Sequence, residues 1–77
     1  MSVEIKSGDI LCEESDSIVE LFEVAGIDDE IVFPQWGSTM CIIAGTLRNA
    51  PDNGHLISSL RLPTEEELKV YEESFGV

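Results

Sequence analysis

The sequence predicts an α+β fold, either a small antiparallel sheet or an SH3-like barrel of four to five strands, closed by one C-terminal helix. Three observations carry this expectation. Short apolar runs rich in β-branched residues recur along the chain. Turn-forming residues separate them at Ser7-Gly8-Asp9, Asp28-Asp29 and Asn49 to Gly54. A capping box, Thr64 with Glu67, opens the last segment directly after Pro63.

The elements follow in order. Ile10 to Cys12 reads as a first strand after the Ser7-Gly8-Asp9 turn. Glu14 to Ile27 admits two structures. Ile18, Leu21, Phe22 and Ala25 have helical spacing, with Ser17 and Glu20 as a cap and Gly26 as a stop. The same residues form a hairpin if Glu14-Ser15-Asp16 turns the chain and Ile18, Glu20, Phe22 and Val24 alternate after it, and we favour the hairpin.

Ile31-Val32-Phe33 is a short strand that Pro34 ends or places at a sheet edge, and Gln35 to Thr39 is a loop. Met40 to Leu47 reads as a central strand, with Gly45 marking a bulge or a close backbone approach. Asn53-Gly54, which tolerates positive φ, then predicts a hairpin whose return strand is His55 to Leu62. In the closing helix Leu68, Tyr71 and Phe75 share one face, Lys69 has four-residue spacing to Glu65 and Glu73, and Gly76 is the stop.

Seventy-seven residues make one domain with a thin core, since a chain this short buries only about 60% of its unfolded surface. A hydrophobic content of 43% is too high for a disordered acidic tail. The longest uncharged stretch contains Pro34, Gln35, Gly37, Ser38 and Gly45 and does not read as a membrane span, while Met1-Ser2-Val3-Glu4 lacks the features of a signal peptide. A cytoplasmic location is the expectation. Cys12 and Cys41 lie far apart inside apolar runs and read as reduced, buried thiols, with a single disulfide as the alternative.

The net charge is −12 and is unevenly distributed. Residues 1–30 hold ten acids against Lys6, for −9, residues 31–63 sum to +1, and residues 64–77 sum to −4. Such a field repels nucleic-acid backbones and anionic membranes and accelerates encounter with basic partners.

Two segments, Lys6-Ser7-Gly8-Asp9-Ile10-Leu11 and Leu60-Arg61-Leu62-Pro63-Thr64-Glu65-Glu66-Glu67, resemble small uncharacterised bacteriophage-encoded β-rich proteins. In those, a "pGDI" strand opens a small β domain and an "R-x-[AP]-T-x-E-E" segment leads from the last strand into a closing helix. The resemblance covers about twenty residues, a count taken over structural punctuation. It implies a viral origin and a compact β fold, and it transfers no site residues.

The residues offer little for catalysis. Cys41 with His55 is the sole candidate nucleophile and base, and a histidine beside an Asn-Gly turn reads as a solvated surface residue. Two cysteines and one histidine do not make a zinc site. Glu13, Glu14, Asp16 and Asp28, Asp29, Glu30 lack the spacing and glycine of a calcium loop, and no phosphate-binding glycine motif occurs. The expectation is therefore no enzyme and no cofactor.

Binding has better support. Trp36, in the loop after Pro34, is either an interface anchor or a member of the thin core, and the small size of the domain favours the core. A charge of −12 exceeds the magnitude of about 2 to 8 that keeps a small domain soluble. The expected function is an acidic protein-binding module, a phage-encoded inhibitor or nucleic-acid mimic acting on a basic site of a host protein. Glu13, Glu14, Asp16, Asp28, Asp29, Glu30 and Trp36 are the candidate contacts. The alternative is a small structural or accessory subunit that completes its core by oligomerising or docking on a larger assembly.

Overall fold

A computed structural model describes residues 5–74. The strands are β1 (Ile10–Ser15), β2 (Ile18–Asp28), β3 (Ile31–Pro34), β4 (Met40–Ile43), β5 (Thr46–Asn49), β6 (His55–Leu56) and β7 (Leu60–Arg61), followed by helix α1 (Glu65–Ser74). The α+β class and the antiparallel sheet are as expected, but seven strands replace four to five, and their pairing branches at β2.

The hairpin reading of Glu14 to Ile27 holds, but the turn lies at Asp16-Ser17 and not at Glu14-Ser15-Asp16, because Glu14 and Ser15 are paired in the strand. β1 and β2 pair from Ile10 with Glu23 to Ser15 with Ile18, around a two-residue turn in which Asp16 and Ser17 have φ of 48° and 69°. Two consecutive positive φ values match the right-handed twist of the strands. β2 is the strand on which the fold is organised. Its first half pairs with β4, in the order β5-β4-β2-β1-β7, and its second half pairs with β3, which pairs with β6. A register shift between Val24 and Gly26 separates the halves, and such a bulge bends the strand enough for it to serve both groups.

Both faces of the β1–β2 hairpin are covered. Leu11, Phe22, Val24 and Val32 form one cluster, with Ile5 and Leu60 against it, and Cys12, Leu21 and Tyr71 form the other, with Ile10, Val19, Met40 and Ile42. This explains the adjacent apolar pairs Leu11-Cys12 and Leu21-Phe22, since neighbouring strand residues point to opposite faces. Both cysteines are free and buried, and burial pushes the Cys12 thiol up to about 11.

The second half of the chain differs from its expected form. Met40 to Leu47 is no central strand, because Ala44 and Gly45, at φ of 51° and 81°, turn the chain into the β4–β5 hairpin. Gly45 is thus a turn residue, and the bulge lies on β2. Asn53-Gly54 does not form a two-residue hairpin turn. β6 pairs with β3, and the expected return strand is broken by a 3-10 turn at Ile57–Ser59. A Cβ on Gly54 would lie 2.7 Å from Ile31 Cγ2 and 3.3 Å from the Phe33 ring. Glycine is required there by close approach to β3.

The capping box is formed as expected. Thr64 N–H donates to Glu67 Oε1 at 2.9 Å, and Glu67 N–H donates to Thr64 Oγ1 at 3.1 Å. α1 seats Tyr71 on the sheet with Leu68 half-buried, while Phe75 and Gly76 lie outside the described residues. Among the described residues, no helix is long and apolar enough to cross a membrane.

Candidate interaction surface

The structure divides the sequence-derived candidates into three groups. Glu13 faces the interior of the hairpin. Its Oε1 accepts from His55 Nδ1 at 2.6 Å, and the His55 ring stacks on Phe22 with centroids 4.4 Å apart and planes 6° from parallel. His55 is therefore a core residue at 5% exposure, which corrects its reading as a solvated neighbour of a turn. Its Nε2 is buried with no hydrogen-bond partner, a position that suits the tautomer carrying its hydrogen on Nδ1. No hydrogen bond joins Cys41 to His55; Cys41 sits on β4 opposite Glu20.

Glu14 and Asp16 lie at the β1–β2 turn. Glu14 Oε1 accepts from Arg61 Nη2 at 3.0 Å, and Arg61 also donates to both carboxylate oxygens of Glu67, at 2.9 and 3.0 Å. One guanidinium thus ties the acidic hairpin to the acidic start of α1, and the two ends of the sequence that hold the excess charge meet there. The Arg61 hydrogen bonds hold the Glu67 carboxyl well below its usual range, at about 2.

Asp28, Asp29 and Glu30 form the exposed turn between β2 and β3, with Asp29 at φ 59°. They stand at the opposite end of β2 from Asp16, in a molecule whose longest dimension is 32 Å. The six acids do not share one face. Among the described residues, no group of three or more His, Cys, Asp or Glu side chains is placed to hold a metal ion.

Trp36 is 84% exposed, so the core reading favoured by domain size is overturned. Its loop is nevertheless firmly tied. Asp52 accepts the N–H groups of Gly37 at 2.6 Å and Thr39 at 3.1 Å, Gln35 N–H donates to Glu23 O at 2.8 Å, and Tyr71 Oη donates to Ser38 O at 2.6 Å. Ser38 closes the loop on itself, its hydroxyl donating to Gln35 O at 2.8 Å. The Thr39 side chain, with the Gly37 and Thr39 N–H groups, lowers the Asp52 carboxyl from its ordinary value.

β3 joins this loop to the acidic turn. Val32 points into the core, so Ile31 and Phe33 point outward, with Leu56 opposite Ile31 and Gly26 opposite Phe33. Gly26 has no side chain with which to cover Phe33, and Phe33 and Leu56 remain 45% and 51% exposed. Along the chain this gives a strip of exposed residues: Asp28, Asp29 and Glu30 first, Phe33 with Leu56 of the neighbouring strand next, and Trp36 three positions beyond Phe33 in sequence. Phe33, Leu56 and Asp52 are not among the sequence-derived candidates. Strand alternation puts Ile31 and Phe33 on one face and Val32 on the other, but an unbroken apolar run does not say which face is outward, and nothing local links Asp52 to residues 37 and 39.

No protein-family model matches this chain, and comparisons with curated proteins and with solved structures likewise find no match.

Proposed function

We propose that this chain is an acidic protein-binding module that docks on a basic surface of another protein through the strip from Asp28 to Trp36. The observation that carries the reading is an 84% exposed tryptophan on a loop tied by Asp52, Glu23 and Tyr71. Tryptophan is the commonest kind of interface hot spot, and a loop already ordered before binding loses little entropy on contact. The acids at the far end of the strip complement a basic partner and steer the encounter. The finer form of the proposal is a phage-encoded inhibitor or nucleic-acid mimic that occupies a basic site of a host protein in the cytoplasm. It rests on the net charge of −12 and on the resemblance described above. No catalytic residue and no cofactor is assigned.

The test is binding to the protein that the chain retains at low salt. Trp36→Ala should weaken that affinity by about 2 kcal/mol or more, with the thermal midpoint unchanged because the indole is exposed. Unchanged affinity would remove the strip as the contact surface. A second reading, an accessory subunit of a larger assembly, is favoured by the exposure of Leu62 at 70% together with Phe33 and Leu56. It requires an apolar contact that persists at high salt.

A further inference from the structure

α1 is ten residues long, or about 15 Å at 1.5 Å per residue, and it covers the sheet unevenly. Tyr71 closes over Leu21 and Cys12, but the next row across the same face, Val19 opposite Ile42, is only half-buried. Glu14 continues that row, directly opposite Val19 on β1. Between the row and the start of the helix lies a groove of about 330 Å³, with Val19, Ile42 and Val70 as its apolar lining and Thr64, Glu66 and Glu67 at the helix start. Glu67 is engaged by Arg61 and Thr64. Glu66 is exposed and makes no ion pair among the described residues. Glu14, Glu66 and Glu67 against Arg61 leave the surroundings at −2.

An anion is repelled by this rim, and a wholly apolar ligand would strip water from the carboxylates without replacing it. A long aliphatic stem ending in a cation satisfies both parts, which is the build of lysine and arginine. We propose that the groove receives a lysine or arginine side chain presented by a basic segment of another protein, its stem against Val19, Ile42 and Val70 and its charged head at Glu66. This contact lies at the β1–β2 turn end of the molecule, away from the acidic turn that begins the Trp36 strip. It shares with the strip the premise of a basic partner, but neither site needs the other.

The experiment is a methyl-resolved NMR titration of the full chain with a capped ten-residue oligolysine at low salt. The methyl resonances of Val19, Ile42 and Val70 should shift and saturate together. Glu66→Lys should weaken the apparent affinity about fivefold, the range of a partly exposed ion pair. Val70→Asp separates the groove from simple charge attraction, because it adds a negative charge while removing part of the apolar lining. Weaker binding by Val70→Asp supports the groove, and equal or tighter binding overturns it. Methyl shifts confined to Ile31 and Leu56, which pair beside the acidic turn, would overturn the groove while leaving the strip standing, and loss of affinity with Trp36→Ala alone would separate them in the same way.

Discussion

Asp52 is the residue on which the presentation of Trp36 turns. Its two oxygens take the N–H groups of Gly37 and Thr39, and the loop has no other side chain in that role. Asp52→Ala should leave Trp36 exposed but loosened, read as a fall in the fluorescence anisotropy of the single tryptophan with little change in quenching by iodide. The carboxyl sits below its ordinary value of 3.8, so its charged form favours the folded loop. That contribution is present above the ordinary value and is lost as pH falls below it. Unchanged anisotropy in Asp52→Ala would mean that Ser38 and Tyr71 suffice. His55 presents the opposite case, a polar ring used as core. His55→Ala removes a ring stacked on Phe22 and leaves Glu13 without its donor, so it should cost about 2 to 4 kcal/mol by the usual scale of buried truncations, measured by urea unfolding.

At the scale of elements, Arg61 joins β7, the β1–β2 hairpin and α1. Lowering of Glu67 from 4.5 to about 2 means that the folded state prefers the carboxylate. The associated stability is present above 4.5 and is lost as pH falls from there towards 2. Arg61 is about a third exposed, so solvent screening reduces the pair to about 1 kcal/mol. Acid also relieves the repulsion of a chain at −12, which acts in the opposite direction. The informative quantity is therefore a difference. Between about pH 5 and 2 wild-type should lose about 1 kcal/mol more than Glu67→Gln, and identical slopes would show that the capping bonds alone anchor the helix.

Local signals were legible where the physics is local. The Thr64 to Glu67 capping box needs only neighbouring residues, and the hairpin at Asp16 is signalled by a polar turn with alternation after it. What stayed hidden depends on partners distant in sequence. Gly45 and Asn53-Gly54 both carry turn chemistry, and choosing between them requires knowing that β6 pairs with β3 and that Gly54 packs against Ile31 and Phe33. His55 and Trp36 exchanged their expected places for a related reason. The space over Phe22 is filled by a ring that Glu13 can hydrogen-bond, while Trp36 falls in a loop whose contacts are made by backbone groups. Of the candidate site, Asp28, Asp29, Glu30 and Trp36 lie along one strip, Glu14 and Asp16 lie at the other end, and Glu13 is structural.

For the whole molecule, the two ends of β2 are both acidic, and apolar surface lies beside each: Phe33 and Leu56 near one, Val19, Ile42 and Val70 near the other. Charge attracts over about a Debye length, roughly 10 Å at 0.1 M salt, whereas the apolar groups act only on contact. A partner should therefore be recruited in a salt-dependent way and retained by Trp36. The measurement that tests this most directly is parallel affinity capture from bacterial lysate with wild-type chain and Trp36→Ala, each eluted by a salt gradient. A basic protein should be held by wild-type, released as salt rises, and held weakly or not at all by the variant. Retention of the same proteins by both chains, or retention indifferent to salt, would contradict it.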